Sequence, residues 1–185
     1  MRPLVLTQNI TADGSIEMLD DWFDPTADAP DLRAITQRDS AACDAILLGR
    51  ETFEAFRGFW PAQADDTTGI TAELNALEKY VVSSTMTDPA WQHSTIIPAD
   101  PVAAVRALKA RPGRGIALTG SIRLCHTLIA AGLVDEYCLW THPYVQGRGR
   151  RLFPEGHREP LRLLEHLAFD SGVTYTRWAP RKEPS

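Results

Sequence analysis

Residues 45–48 read Ala-Ile-Leu-Leu, apolar at every position, and pass through Gly49 straight into Arg50-Glu51-Thr52-Phe53. A strand with no polar alternation is buried on both faces, so it needs covering layers above and below. The strand end and the helix start that follows share one turn. Gly49 lets the backbone approach an anion there, the amides that follow and the Thr52 hydroxyl offer donors, and Arg50 adds a fork suited to phosphate. An ordinary turn uses the same glycine, and this stretch alone supports both readings.

Residues 4–10 read as an opening strand and Ala12-Asp13-Gly14-Ser15 as a turn. The spacing of Leu32, Ile35 and Ala41/Ala42 predicts a helix over 30–43, and residues 52–56 form first helical turns that Gly58-Phe59-Trp60-Pro61 interrupts. Residues 63–69 are loop-like, 71–77 a short helix and 79–83 a strand. Asp100-Pro101 supplies an acidic cap and a first-turn proline for a helix through Val105, Leu108 and Lys109, which Pro112-Gly113 stops. Strand 115–118 leads through Thr119-Gly120-Ser121 into a helix carrying Leu124, Leu128 and Ile129, with Gly132 at its C-cap. Strand 135–141 follows, and strand 173–178 pairs back with it across a long connection. Strands alternating with helices imply an α/β sandwich around a largely parallel sheet, and no repeat or linker divides residues 1–185 into more than one domain.

A net charge of −5 argues against a general nucleic-acid or anionic-membrane surface. Cys43, Cys125 and Cys138 show no metal-ligand spacing and sit in apolar segments, as buried small hydrophobes in a reduced compartment do. The N-terminal apolar run is too short for a signal peptide and no stretch is long enough to span a membrane, so a cytoplasmic protein is expected.

Three strand ends share one character: Leu48 leads into Gly49-Arg50-Glu51-Thr52, Val82 into Ser83-Ser84-Thr85, and Leu118 into Thr119-Gly120-Ser121. In an open parallel sheet such ends line one edge and can build a common ligand crevice. Gly49-Arg50-Glu51-Thr52 resembles the Gly-Arg-x-Thr motif of the dihydrofolate reductase superfamily. Gly120-Ser121-Ile122-Arg123-Leu124 and Gly132-Leu133-Val134-Asp135-Glu136 are similar to its riboflavin-biosynthesis (RibD C-terminal) reductase branch. So are His142-Pro143, Gly147-Arg148-Gly149 and Leu152-Phe153, and the likeness spans roughly residues 4–178.

The resemblance implies a dihydrofolate reductase-like three-layer α/β/α sandwich with a mixed, mainly parallel central sheet and a C-terminal antiparallel hairpin. It implies an NADPH-dependent reductase. Gly49, Arg50 and Thr52 would hold the pyrophosphate and adenosine phosphate, Ser83 and Ser84 the adenine side, and Thr119, Gly120, Ser121 and Ile122 the pyrophosphate at a helix start. The nicotinamide would lie near Asn9 and Ile16. Arg123 is a further cofactor candidate or a solvated helix arginine, and Arg50 with Ser84 suits a 2′-phosphate.

Dihydrofolate reductases carry a carboxylate on the first helix that assists protonation of the pteridine. Asp28, Asp31 and Asp39 lie in the corresponding stretch, and none matches that position well; Asp31 suits a helix N-terminus equally. Trp22-Phe23 and Phe59-Trp60 offer faces on which a planar heterocycle could stack, or core packing. His142, without a metal-ligating cluster, reads as structural, and Arg148-Gly149-Arg150-Arg151 as a solvated loop or a phosphate contact. Tyr137, Trp140, Tyr175 and Trp178 form either a homodimer contact or core. The expected activity is hydride transfer to a small pteridine-, pyrimidine- or sugar-linked heterocycle. The alternatives are a dihydrofolate reductase and a non-catalytic NADPH-binding module.

Overall fold

The computed structural model describes residues 1–26 and 29–181, so Asp28 lies outside the described residues. The chain runs β1 (Leu4–Thr11), α1 (Pro30–Ala41), β2 (Cys43–Gly49), α2 (Arg50–Phe59), a 3-10 turn (Trp60–Ala62), α3 (Ile70–Ala76), β3 (Glu78–Val82) and β4 (Ser94–Ile97). It continues through α4 (Pro101–Ala110), β5 (Gly115–Leu118), α5 (Ile122–Ala130), β6 (Glu136–His142), β7 (Leu161–Ala168) and β8 (Thr174–Pro180). One eight-stranded sheet takes the order β4-β3-β2-β5-β1-β6-β8-β7. Its first six strands are parallel, while β8 pairs antiparallel with both β6 and β7.

Alternation along the strands divides the core. Leu4, Leu6, Ala45, Leu47, Ile116 and Leu118 pack with Val105 and Leu108 of α4 and Leu124, Leu128 and Ile129 of α5. On the opposite face Ile46, Leu48 and Val81 pack with Phe53 of α2 and Leu74 of α3, while Val5, Cys138, Trp140 and Tyr175 pack with Leu32 and Ile35 of α1. This is the expected sandwich, and every fully buried aliphatic side chain in it stabilises the fold by about 1.5–3 kcal/mol. All three cysteines are buried and free.

Several boundaries differ from the sequence reading. Cys43 belongs to β2 rather than to the helix before it, and α2 continues through Gly58 to Phe59, because only Pro61 withdraws an amide from the turn. Strands β4 and β7 carried no clear signal: β4 has four residues, and β7, reading LRLLEHLA, is composed largely of helix formers. Strand β8 does pair with β6 as expected, and β7 adds outside it. Tyr137, Trp140 and Tyr175 are 1%, 7% and 0% exposed, so these rings are committed to the interior and offer no dimer contact.

The edge of the sheet opposite the expected crevice is pinned by buried polar groups. Lys109 Nζ donates to Leu133 O at 2.7 Å and pairs with the Asp135 carboxylate, and Asp135 Oδ2 also accepts the Leu4 N–H at 2.7 Å. This ties the end of α4, the loop before β6 and the start of β1 together. The predicted cap of α4 is present, with Asp100 Oδ1 accepting the Ala103 N–H at 3.0 Å.

Candidate functional site

Strand order decides what can converge. The ends of β3, β2, β5 and β1 are consecutive along the sheet, so Ser83-Ser84, Gly49, Thr119-Gly120 and Asn9 form one line spanning three inter-strand steps, roughly 14 Å. Helices α2 and α5 begin on this line. Neither Gly49 nor Ser121, their N-cap residues, caps its helix with a side-chain hydrogen bond. The first-turn amides of both helices therefore retain unsatisfied donors and a partial positive charge, at neighbouring strand ends.

A network of short polar side chains holds the two turns together. The Gly49 N–H donates to Ser121 Oγ at 2.8 Å, and Thr52 Oγ1 accepts both the Ser121 N–H at 2.9 Å and the Ser121 hydroxyl at 3.0 Å. From β1, Gln8 Oε1 accepts the Gly120 N–H at 3.1 Å. Ser121 Oγ is thus engaged in bracing, whereas the Thr52 hydroxyl proton remains available to a ligand. Gly120 is required by space and by φ: it sits at φ +55°, and a Cβ there would lie 2.8 Å from Thr52 Cγ2.

The other expected cofactor residues are placed less uniformly. Arg50 is exposed, and among the described residues its one partner is Glu54, one turn along at 3.4 Å, so its guanidinium is open to a ligand. Ser83 is buried, and its Oγ accepts the Met86 N–H at 2.9 Å, which commits it to its own turn; Ser84 is exposed. Thr119 and Ile122 are half-buried, and Arg123 is exposed on the first turn of α5. Ile16 is 3% exposed in the main core, so a ligand near it would meet backbone rather than side chain.

On the α1 face of the sheet, the parallel register sets Asn9 opposite Trp140 and Thr11 opposite His142. His142 Nε2 and Asn9 Oδ1 are hydrogen-bonded at 2.9 Å. Trp22 and Phe23 stand beside the imidazole at 5.1 and 5.5 Å between centroids, and burial pushes its pKa below the usual histidine value. Trp60, by contrast, is 6% exposed among Phe53 and Leu74 with Phe59 edge-on at 5.0 Å, so its bulk went to core rather than to a stacking surface. No carboxylate of α1 serves the crevice among the described residues: Asp31 is exposed on the first turn, and Asp39 accepts from the Tyr175 hydroxyl.

Comparison with known proteins decides the lineage. The model of the RibD C-terminal domain matches residues 2–175. The chain belongs to that family. The uncharacterized protein YyaP of Bacillus subtilis (strain 168) is 32% identical to this RibD C-terminal domain over 175 residues, covering 93% of this chain and 92% of YyaP. A putative riboflavin biosynthesis protein from Shewanella sp. PV-4 superposes with a TM-score of 0.72 at 17% identity, over 97% of this chain and 99% of that one. Dihydrofolate reductase from Enterococcus faecalis, solved with NADP(H), superposes with a TM-score of 0.64 at 14% identity, over 97% of both chains. The fold is dihydrofolate reductase-like, and family membership supports a reductase.

In this RibD C-terminal domain the segment after β1 is fastened to the loop after β6. Arg148 pairs with Asp20 at 2.7 Å, Arg150 with Glu17, and Arg151 Nη1 donates to Asp13 O at 2.5 Å. The hydrogen bond from the Thr11 hydroxyl, with backbone amides of Gly147 and Gln146, holds the Asp13 carboxyl at a pKa of about 2. A hollow of about 240 Å³ between these loops is lined by Asp13 as well as by Arg148 and Arg151, and that ionised carboxylate disfavours an anion there. The arginine run is therefore an ion-paired clasp.

Buried Gln146 completes the clasp. Its Oε1 accepts from Trp22 Nε1 at 2.8 Å, and its Nε2 donates to Ser15 Oγ at 2.8 Å and Arg148 O at 3.0 Å. Gln146→Ala should loosen residues 15–22 by about 1–3 kcal/mol of local opening free energy. Amide hydrogen exchange would read this as faster exchange confined to the two loops; unchanged protection would remove the role given to Gln146.

Proposed function

We propose that this chain is an NADPH-dependent reductase that transfers hydride to a small planar heterocycle, of pteridine, pyrimidine or sugar-linked kind, in the manner of a 5-amino-6-(5-phosphoribosylamino)uracil reductase. The observation that carries the reading is the braced pair of helix N-termini at Gly49 and Ser121, without side-chain caps and next to an exposed Arg50 held only by a long contact of 3.4 Å to Glu54 among the described residues. That donor set fits a dinucleotide pyrophosphate with one further phosphate. The amides of the first turns of α2 and α5, with the Thr52 hydroxyl, hold the pyrophosphate, and Arg50 takes the 2′-phosphate with Ser84 beside it. The reading is supported by the NADP(H) carried by the Enterococcus reductase of the same fold.

When bound, NADPH supplies the hydride from its nicotinamide ring. The chain's own residues position and exclude water: the Asn9 end of β1 sets the depth of the crevice, Trp22 closes the substrate side, and the clasp keeps Trp22 in place. The reduction takes up one proton together with the hydride; Asp31 and Asp39 of α1 are turned to other uses, and this reading assigns the proton to solvent. Screening NADPH oxidation against pteridines, pyrimidines and flavins tests the reading. Binding of NADPH without oxidation by any of them would favour a non-catalytic module.

Arg50 gives the sharper test. Arg50→Ala removes a charge-assisted contact worth about 1.5–3 kcal/mol, so NADPH affinity should fall roughly 10- to 100-fold while NADH affinity stays constant. Equal losses for the two cofactors would sink the 2′-phosphate assignment.

A further inference from the structure

We propose that the Asn9 carboxamide and the His142 imidazole together form a reading element for the substrate's polar edge, one that takes a planar ring carrying a hydrogen-bond donor beside an acceptor, as a cyclic amide does. The proposal rests on the reductase reading for which ligand occupies the crevice, and on side-chain geometry for the rest. The line of strand ends assigned to the cofactor finishes at β1, and β6 is the next strand beyond it. His142 is the last residue of β6 and Asn9 lies two residues before the end of β1, both on the face that α1 covers, with Trp22 and Phe23 beside the imidazole.

The pair leaves two nitrogens unused. Asn9 Oδ1 and His142 Nε2 satisfy each other at 2.9 Å, while Asn9 Nδ2 and His142 Nδ1 have no hydrogen bond to any described residue. Neither is sealed, since the one buried side-chain nitrogen or oxygen without a partner among the described residues is His157 Nε2. A half-buried amide and an imidazole flanked by two aromatic rings, each with one free hydrogen-bonding position, are prepared for a polar partner that is itself flat.

The chemistry of that partner follows from proton placement. If His142 Nε2–H donates to Asn9 Oδ1, the outward groups are an imidazole lone pair and an amide N–H. If the carboxamide is turned over and donates to Nε2, they are an imidazole N–H and a carbonyl oxygen. Either way the pair shows one donor and one acceptor, and the two states exchange those roles. A ring bearing N–H next to C=O is complementary to both placements, whereas a ring with acceptors alone satisfies only half of the pair. Burial, which favours the neutral imidazole, preserves the acceptor.

The test uses the full chain with NADP⁺ present, titrated with uracil and with 1,3-dimethyluracil, which keeps the ring and both carbonyls but has no N–H. The readout is the side-chain ¹⁵N resonances of His142. Uracil should shift them saturably, and dimethyluracil should bind at least about tenfold more weakly. Measured by isothermal calorimetry, because these variants carry no imidazole signal, His142→Leu should weaken uracil by at least about tenfold, with NADP⁺ affinity within about twofold of the parent as evidence of folding, and His142→Gln, which restores a donor and an acceptor, should recover part of the loss. Equal binding of the two pyrimidines, no movement of the His142 signals up to the solubility limit of uracil, or full uracil affinity in His142→Leu would each overturn the proposal. Repeating the titration without NADP⁺ separates the two readings: a His142 response in a chain that does not bind NADP⁺ retires the cofactor assignment and leaves the reading element standing.

Discussion

Gly120→Val should reduce NADPH affinity by at least about 100-fold while lowering Tm by only a few degrees, and isothermal calorimetry with a thermal melt would read both. Two effects combine at this residue. A branched side chain at φ +55° costs about 1–2 kcal/mol in backbone strain, and its Cβ would fall 2.8 Å from Thr52 Cγ2 and 3.0 Å from Thr52 Oγ1. Thr52 must then move, and with it go both hydrogen bonds it accepts from Ser121. The amides of α2 and α5 lose their common aim, so a ligand that needs both pays twice in affinity. Gly132→Ala is the control: φ is +62° there, but nothing lies within 4 Å of the added Cβ. It should carry the strain cost and keep NADPH affinity within about twofold. Similar affinity losses in the two variants would assign the effect to strain rather than to the strut between the helices.

The second large effect lies at the other end of the strands. Asp135→Ala should destabilise the fold by about 2–4 kcal/mol, toward the lower part of the range for breaking a buried ion pair because the carboxylate is one-third exposed. For a chain of this size that is a fall in Tm of roughly 5–15 °C. The loss has two parts: Lys109, 7% exposed, keeps its charge with only the Leu133 carbonyl for company, and the Leu4 N–H at the start of β1 loses its acceptor. Replacing Lys109 by Met first should shrink the effect of Asp135→Ala, since no stranded charge remains. Additive losses would show the pair to be uncoupled. Cofactor affinity should not change in either background, because this edge is a full strand length from the crevice.

The parts of the fold that were legible in the sequence are those in which local pattern and burial agree. The unbroken apolar run of β2, the Asp100-Pro101 start of α4 and the Gly132 stop of α5 each carry their reason within a few residues. Strand β7 does not, since Leu, Arg, Glu and His suit a helix and only pairing with β8 makes them a strand. The candidate site divides the same way. Gly49 and Gly120 announce turns, but the bond from Ser121 to Thr52 spans 69 positions and that from His142 to Asn9 spans 133, so neither can be read from spacing. Trp60 and Ser83 show the limit from the other side: residue type suited a ligand, and packing used both for the protein itself. The arginine run read as a solvated loop or a phosphate contact, not as a clasp, because the acidic partners of Arg148 and Arg150 lie about 130 residues upstream.

Strand β8, although last in sequence, fills an interior place between β6 and β7, and its Tyr175 is fully buried. Strand β1, first in sequence, is likewise central and has no neighbour until residues 115–118 and 136–142 exist. On the ribosome, then, the opening strand leaves the tunnel with nothing to pair with, and β6 keeps an unpaired flank until the chain has grown to about residue 180. The sheet closes late and from distant pieces, a topology that folds slowly and exposes strand edges while it waits. Stalled chains ending before β8 should accordingly be bound by chaperones far more strongly than those that have passed it.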